Sequence, residues 1–134
     1  MWLGVITLLP EMFDAVSQDG VFGRALAAGH LHLRCFNPRD YATDKHRTVD
    51  DRPYGGGPGM VMRADVVDAA IEGVENADAP LVYLTPRGAP LSQDVAASLA
   101  EGPGVTLICG RYEGIDQRVL EARDVTEISL GDFV

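Results

Sequence analysis

Two segments of the chain combine charged side chains with a glycine-rich backbone, a combination typical of ligand-binding loops. Residues 47–60 read RTVDDRPYGGGPGM, and residues 110–116 read GRYEGID. A run of glycine and proline cannot hold a helix or a central strand, because glycine is unconstrained and proline lacks an amide hydrogen. Such a backbone beside acids and bases usually approaches a ligand closely. The two segments together predict a binding site.

The glycine-rich run at residues 55–59 has two readings that its composition leaves open. Its backbone N–H groups could cradle a phosphate or a base, or the run could be a flexible surface turn. It is not a Walker loop, because no Lys-Ser or Lys-Thr follows it. The neighbouring Asp50 and Asp51 could hold a metal or orient a base, although a solvated acidic pair is the more common arrangement.

The second segment, residues 110–116, is a more specific signal of a binding site, because it follows a stretch that has the composition of a buried strand. Gly110 would let a ligand press against the backbone, and Arg111 could reach a carboxylate or a phosphate. Tyr112 could stack on a base, and Glu113 could accept a hydrogen bond or help to hold a cation. The alternative is a helix-entry turn with surface ion pairs. We interpret the following Asp116 as a helix cap and Arg118 as a surface charge.

Other kinds of catalytic centre find little support in this sequence. No serine or cysteine lies in a nucleophile elbow, and there is no His-Glu-x-x-His motif. Cys35 and Cys109 lie far apart without metal-ligand spacing, which favours reduced, structural thiols in the cytosol. There is no signal peptide and no apolar run long enough to span a bilayer. We therefore expect a cytoplasmic protein without a membrane segment.

Apolar periodicity predicts the elements that position the two segments. Buried-looking strands alternate with helices, a pattern typical of an α/β domain with a mostly parallel sheet and helices on both faces. The length of 134 residues favours one domain. Strands are expected at residues 2–9, 31–36, 81–84, 105–109 and 125–130, and helices within 11–28 and at 64–74, 93–100 and 116–122.

The expected sheet would gather the candidate segments at one edge. Ligands of parallel sheets bind beyond the carboxyl ends of the strands, where residues 85–88, 110–116 and 131–134 would lie. The long polar loop at residues 38–60 could fold over the same edge. Met60 and Met62 are expected to anchor that loop to the core.

The charge distribution is uneven. The net charge is −9, which argues against a generic nucleic-acid coat, since phosphate binding needs clustered Lys and Arg. Residues 34–63 nevertheless contain six of the eleven basic residues against four acids. This local basic zone is compatible with RNA binding but does not establish it.

Six stretches of the sequence resemble one family, the bacterial tRNA (guanine-N1)-methyltransferases called TrmD, which belong to the SPOUT class of trefoil-knot proteins. The long loop and the GRYEGID segment, in this order and spacing, are highly specific as a set. The matching stretches span the whole chain: residues 4–13, 37–41, 46–60, 83–86, 108–118 and 129–134.

The resemblance implies a homodimeric tRNA-modification enzyme with its active site at the dimer interface. Such a transferase moves a methyl group from S-adenosyl-L-methionine to N1 of the guanine immediately 3′ of the anticodon. The cofactor would lie bent in a pocket formed by the knot. Glu113 would lie near the target guanine. A magnesium ion is a further candidate cofactor at this position. No side chain of this chain is assigned as a metal ligand.

The family's binding residues are carried over to the matching positions of this sequence. The cofactor-binding set would be Tyr83, Leu84, Thr85, Pro86, Gly110, Tyr112, Gly114, Ile115, Leu130, Gly131, Asp132, Phe133 and Val134. The guanine-binding set would be Asp50, Tyr54, Gly55, Gly56, Gly57, Pro58 and Gly59.

One departure from the family pattern concerns the catalytic base. Guanine N1 carries a proton that must leave, so a carboxylate base is required. The family's general-base Asp, its knot-completing helix and its C-terminal tRNA-binding domain belong to sequence beyond residue 134. We therefore expect residues 1–134 to be a truncated S-adenosylmethionine-binding domain, inactive alone, with Glu113 in an auxiliary role. Two alternatives are a catalytically silent RNA-binding or dimerisation module and a nucleotide-binding module that holds a phosphate.

Overall fold

The computed structural model describes residues 1–133 and contains a five-stranded parallel sheet in the order β2-β1-β6-β5-β7. A second, two-stranded antiparallel sheet pairs β3 with β4. The strands are β1 (Trp2–Ile6), β2 (His32–Phe36), β3 (Asp50–Asp51), β4 (Val61–Met62), β5 (Leu81–Pro90), β6 (Val105–Ile108) and β7 (Thr126–Ser129).

Five α-helices connect these strands, and two of them begin at side-chain caps that the sequence predicted. The Ser92 hydroxyl accepts a hydrogen bond from the Val95 amide at 3.2 Å, and the Asp116 carboxylate accepts one from the Arg118 amide at 3.0 Å. Both predicted caps are therefore confirmed. The helices are α1 (Asp14–Gln18), α2 (Gly20–Ala27), α3 (Ala64–Glu72), α4 (Gln93–Glu101) and α5 (Gln117–Ala122), with 3-10 turns at Pro10–Phe13 and Pro38–Tyr41.

The sheet buries a hydrophobic layer on each face, which confirms the predicted α/β architecture. Alternate residues of a strand point to opposite faces, so Tyr83 packs with the layer beneath α3 and α5, and Val82 packs with the side chains of α4. The larger layer contains Ile6, Phe36, Met62, Val67, Ala70, Ile71, Tyr83, Ile108, Ile115, Val119 and Leu120.

The predicted end of β5 was wrong. The sequence Thr-Pro-Arg-Gly predicted that the strand stops at Leu84, but β5 continues to Pro90 with an irregularity in its middle. Leu84 and Ala89 both lie opposite Ile128 of β7, so the intervening residues bulge out of the ladder. Proline and glycine here therefore bend the strand without ending it.

The long loop at residues 38–60 is also more ordered than expected. It contains a 3-10 turn and β3, which pairs with β4 directly after the loop. The Met62 side chain is fully buried and anchors the loop as predicted, whereas Met60 is 37% exposed, so the prediction for Met60 was wrong. Only the backbone of Met60 is held, by a hydrogen bond from the Glu113 amide.

Gly88 tests the packing of the β5 bulge. A Cβ at this position would lie 2.4 Å from the Ile128 amide nitrogen, whereas one at Gly102 would lie 3.6 Å from its nearest neighbours. We expect Gly88→Ala to lower the free energy of unfolding by about 1–3 kcal/mol, because backbone must move. Gly102→Ala should change it by less than about 0.5 kcal/mol. Urea denaturation of both variants measures the difference, and equal effects would contradict the close approach.

Candidate ligand-binding site

Backbone hydrogen bonds join the two segments that the sequence singled out. The Glu113 amide donates to the Met60 carbonyl at 2.9 Å, and the Met62 amide donates to the Gly114 carbonyl at 2.9 Å. Met62 and Ile115 form an isolated parallel β-bridge. The end of the glycine-rich run is therefore fixed against the segment that follows β6.

The glycines of the run adopt backbone conformations that other residues rarely adopt. Gly55, Gly56, Gly57 and Gly59 have φ angles of 86°, 90°, 123° and 77°. A Cβ at Gly59 would lie 2.5 Å from Glu113 Cγ, so a larger residue would have to displace the exposed Glu113 side chain. At the other three glycines a Cβ would meet nothing within 4 Å. Their side of the run is open, as a surface that receives a ligand must be.

The Tyr83 side chain, from β5, packs against the segment that follows β6. Its side chain is buried, and a Cβ at Gly110 would lie 2.9 Å from Tyr83 Cε2. Burial raises the pKa of the Tyr83 phenol, so the hydroxyl remains a donor at neutral pH. Gly114 also lies beside this hydroxyl, because a Cβ built at Gly114 would lie 3.5 Å from the Tyr83 hydroxyl oxygen. Tyr112 has a φ of 60°, a strained conformation that is common at functional sites.

Two cavities meet along the outer half of β5. One has a volume of about 150 Å³ and the other about 370 Å³, and Thr85 and Pro86 line both. The smaller is lined in addition by Leu84, Ser129, Leu130, Gly131 and Phe133. The larger is lined in addition by Tyr83, Arg87, Glu113, Gly114, Ile115 and Gln117.

Nine of the thirteen predicted cofactor-binding residues line these two cavities, whereas Gly110 and Tyr112 line neither. Ser129, Arg87 and Gln117 line the same cavities but were not predicted. Arg87 Nη2 donates to Gln117 Oε1 at 3.0 Å and to Glu127 Oε1 at 2.9 Å. The only sequence signal for these hydrogen bonds was the position of Arg87 within residues 85–88, which were predicted to lie at the carboxyl edge of the sheet. Among the predicted residues, Asp132 is exposed, and Val134 lies outside the described residues.

The guanine-binding set is only partly brought to this edge. Asp50 lies in β3 opposite Met62, which places it beside the Met62–Ile115 bridge. Tyr54 is 76% exposed, and the Arg118 guanidinium lies 4.3 Å from its ring centroid. The interpretation of Arg118 as a surface charge was therefore incomplete. Arg118 also binds the buried Asp116 carboxylate, and this hydrogen bond lowers the pKa of Asp116.

Three further observations concern the described residues. Across residues 1–133, no group of three or more His, Cys, Asp or Glu side chains is arranged to hold a metal ion. Within the same residues, no helix has the length and apolar character needed to cross a membrane. The Cys35 and Cys109 thiols are free in the described structure.

Fold and site together define an α/β domain with a cleft at the carboxyl edge of a parallel sheet, the place where proteins of this class bind their ligands. The family model for "tRNA (Guanine-1)-methyltransferase TrmD" matches residues 1–134. The chain belongs to this family, as its sequence motifs predicted.

Three relatives named "tRNA (guanine-N(1)-)-methyltransferase" illustrate the similarity. The protein from Rhodospirillum rubrum is 55% identical over 97% of this chain, and that from Pseudoalteromonas translucida is 50% identical over all of it. The protein from Shewanella amazonensis is 52% identical over all of it. The chain spans 54–55% of the length of these relatives.

Gly59 and Gly57 provide a matched pair for testing the contact with Glu113. Replacing either by alanine strains a positive-φ backbone, at a cost of about 1–3 kcal/mol. Only the methyl group at position 59 would meet the Glu113 side chain. We expect Gly59→Ala to shift the ¹³C resonance of the Glu113 carboxyl group in NMR spectra, and Gly57→Ala to leave it in place. Equal shifts in both variants would mean that strain, and not contact, controls Glu113.

Proposed function

We propose that residues 1–134 form the S-adenosylmethionine-binding domain of a tRNA methyltransferase. The enzyme transfers the methyl group to N1 of the guanine immediately 3′ of the anticodon. The observation that carries this proposal is the pair of hydrogen bonds between residues 60–62 and 113–114, which joins the glycine-rich run to the cavity wall. Two reacting groups held on joined segments need little further alignment.

The cleft has a shape and chemistry suited to S-adenosylmethionine. A side chain at Gly110 would fill the space against Tyr83, so this position leaves the backbone open to a ligand. The smaller cavity is mainly apolar, which suits the faces of an adenine ring, and the exposed Leu130 and Phe133 side chains flank it. When bound, the cofactor supplies an already activated sulfonium methyl group.

The residues of this chain would bind and orient the guanine. The open glycine backbone offers N–H groups to guanine oxygen and nitrogen acceptors. The Glu113 carboxylate can accept hydrogen bonds from the guanine N1–H and N2–H donors, since an ionised carboxylate is an acceptor only. Asp50 and Tyr54 complete the set. Glu113 is proposed as an auxiliary group and as a contact for Mg²⁺, and the general base is proposed to come from outside residues 1–134.

A second copy of the chain and a tRNA are the proposed partners, in the cytoplasm. Exposed apolar side chains support dimerisation, because such surface is usually covered by a partner. Met12, Val16 and Val21 on neighbouring turns are 66%, 53% and 75% exposed.

Calorimetric titration of this chain with S-adenosylmethionine tests cofactor binding. We expect saturable binding that Gly110→Trp weakens at least about tenfold, because the indole would occupy the cleft beside Tyr83. Gly102→Trp is the matched control, since Gly102 is exposed and lines neither cavity. Circular dichroism verifies that both variants fold.

Other outcomes of the titration distinguish the alternatives. Competition by ATP but not by S-adenosylhomocysteine would support a nucleotide-binding module. Retention of tRNA without cofactor affinity would support a silent RNA-binding module. Absence of binding is resolved by repeating the titration on the longest reading frame that encodes the chain, and absence there too would refute the proposal.

Glu113→Gln tests the auxiliary role in the longest reading frame. The amide keeps the size of the side chain but donates where the carboxylate accepts. We expect kcat for tRNA methylation to fall by about tenfold or more, with little change in cofactor affinity. Glu121→Gln, an exposed position on α5, is the control. An unchanged kcat for Glu113→Gln would remove this residue from the mechanism.

A further inference from the structure

We propose that Arg118 is a positioning residue that holds the glycine-rich run (residues 55–59) in place through the ring of Tyr54. The mechanical part of this proposal stands on contacts alone. Its consequence for guanine binding rests on the proposed function.

The first step is that the Arg118 guanidinium has a fixed plane. Its Nε donates to Asp116 Oδ1 at 2.9 Å and its Nη2 donates to Asp116 Oδ2 at 2.6 Å. The Asp116 side chain is only 5% exposed, so the anchor itself is held by the core. A bidentate arginine–carboxylate pair fixes orientation as well as distance. The remaining face of the guanidinium is thus presented to solvent in a defined direction.

The second step is that Tyr54 stacks on this face. The Arg118 Cζ atom lies 4.3 Å from the centre of the Tyr54 ring, well within the range of cation–π contacts. Tyr54 is 76% exposed, and no side-chain hydrogen bond of Tyr54 occurs in the described part of the chain. The stacking contact is therefore the main restraint on the ring. Because Tyr54 directly precedes Gly55, the contact also fixes where the glycine-rich run begins.

The third step concerns the other end of the run. Met60 accepts the hydrogen bond of the Glu113 amide, so both ends of the run rest on one segment, residues 113–118. The five residues between these two supports include four glycines with positive φ. Such residues are flexible unless their ends are held. A support at each end would select one shape of the run without filling the space that faces the ligand.

A simpler role for Arg118 would be to stabilise the start of α5. The helix cap, however, is made by the backbone amide of Arg118, which donates to Asp116 at 3.0 Å and does not need the guanidinium. Loss of the side chain should therefore loosen the glycine-rich run and leave the helix ordered. This difference separates the two roles experimentally.

NMR relaxation of the backbone amides of Gly55, Gly56, Gly57 and Gly59 tests the proposal in this chain. In the unsubstituted chain we expect order parameters of about 0.85, the value of a rigid backbone. In Arg118→Met and in Tyr54→Leu we expect them to fall toward about 0.6. The double variant should fall no further than either single variant, because both changes break one contact. Tyr54→Phe keeps the ring and should keep the order parameters.

Arg34→Met is the matched control. Arg34 is 55% exposed, as Arg118 is 58% exposed, and it pairs with Glu75 at 2.8 Å, so the control removes an ion-paired arginine of similar exposure that makes no contact with the run. Additive losses in the double variant, loss of order in α5 with the run unchanged, or a run that is already mobile in the unsubstituted chain would each overturn the proposal.

Kinetics in the longest reading frame tests the consequence for guanine binding. We expect Arg118→Met to raise KM for tRNA by about three- to tenfold, with the dissociation constant of S-adenosylmethionine unchanged. Lower order parameters at the glycines without any change in KM would confirm that Arg118 holds the glycine-rich run in place, and would refute a role for this contact in substrate binding. Failure of the proposed function would appear separately, as absent methyl transfer in the unsubstituted protein while the relaxation result stands.

Discussion

A short backbone contact determines how the rest of the site is arranged. The Met62–Ile115 bridge lies between a loop that leaves the sheet for more than twenty residues and the segment that follows β6. Met62 has no exposed surface, and its amide and carbonyl both bond to residues of that segment. The buried side chain makes the contact costly to open, because opening would expose a fully buried methionine to water. The glycine-rich run can consequently be irregular in its middle and still begin and end at fixed points.

Glycine has two separate uses at this edge of the sheet. At Gly59, Gly88 and Gly110 it permits close packing, since a Cβ would lie within 3 Å of a neighbour. At Gly55 to Gly57 it permits positive φ with open space on all sides. Close packing explains the first group through the fold alone. In the second group, Gly55 lies in a turn that the Gly56 amide closes by donating to the Pro53 carbonyl at 3.1 Å. No neighbouring atom lies within 4 Å of a Cβ built at these three glycines, so their side of the run leaves space for a ligand.

The sequence predicted much of this arrangement, and the misses have physical causes. Apolar periodicity located every α-helix and the strands of the parallel sheet, and two caps marked helix starts, because these signals are local. The continuation of β5 past Pro86 could not be predicted, since it depends on pairing with Ile128, more than forty residues away. The partner of Arg118 was missed for a similar reason. Its neighbour Asp116 is near in sequence, but Tyr54 reaches it only through the fold. Motif resemblance supplied the roles of the site residues, which periodicity cannot supply.

The arrangement of charges shows how an acidic chain could still attract a polyanion. Six of the eleven basic side chains pair with carboxylates in the described structure: Arg34, Arg47, Arg63, Arg87, Arg118 and Arg123. Of the five without such a partner there, Arg39, Lys45 and Arg52 lie in the long loop at residues 38–60, and Arg111 lies in the segment at residues 110–116. Unpaired cations attract phosphates more strongly than paired ones, because no neighbouring carboxylate offsets their field. The net charge of −9 would therefore repel nucleic acid from most of the surface and leave the glycine-rich edge as the favourable approach.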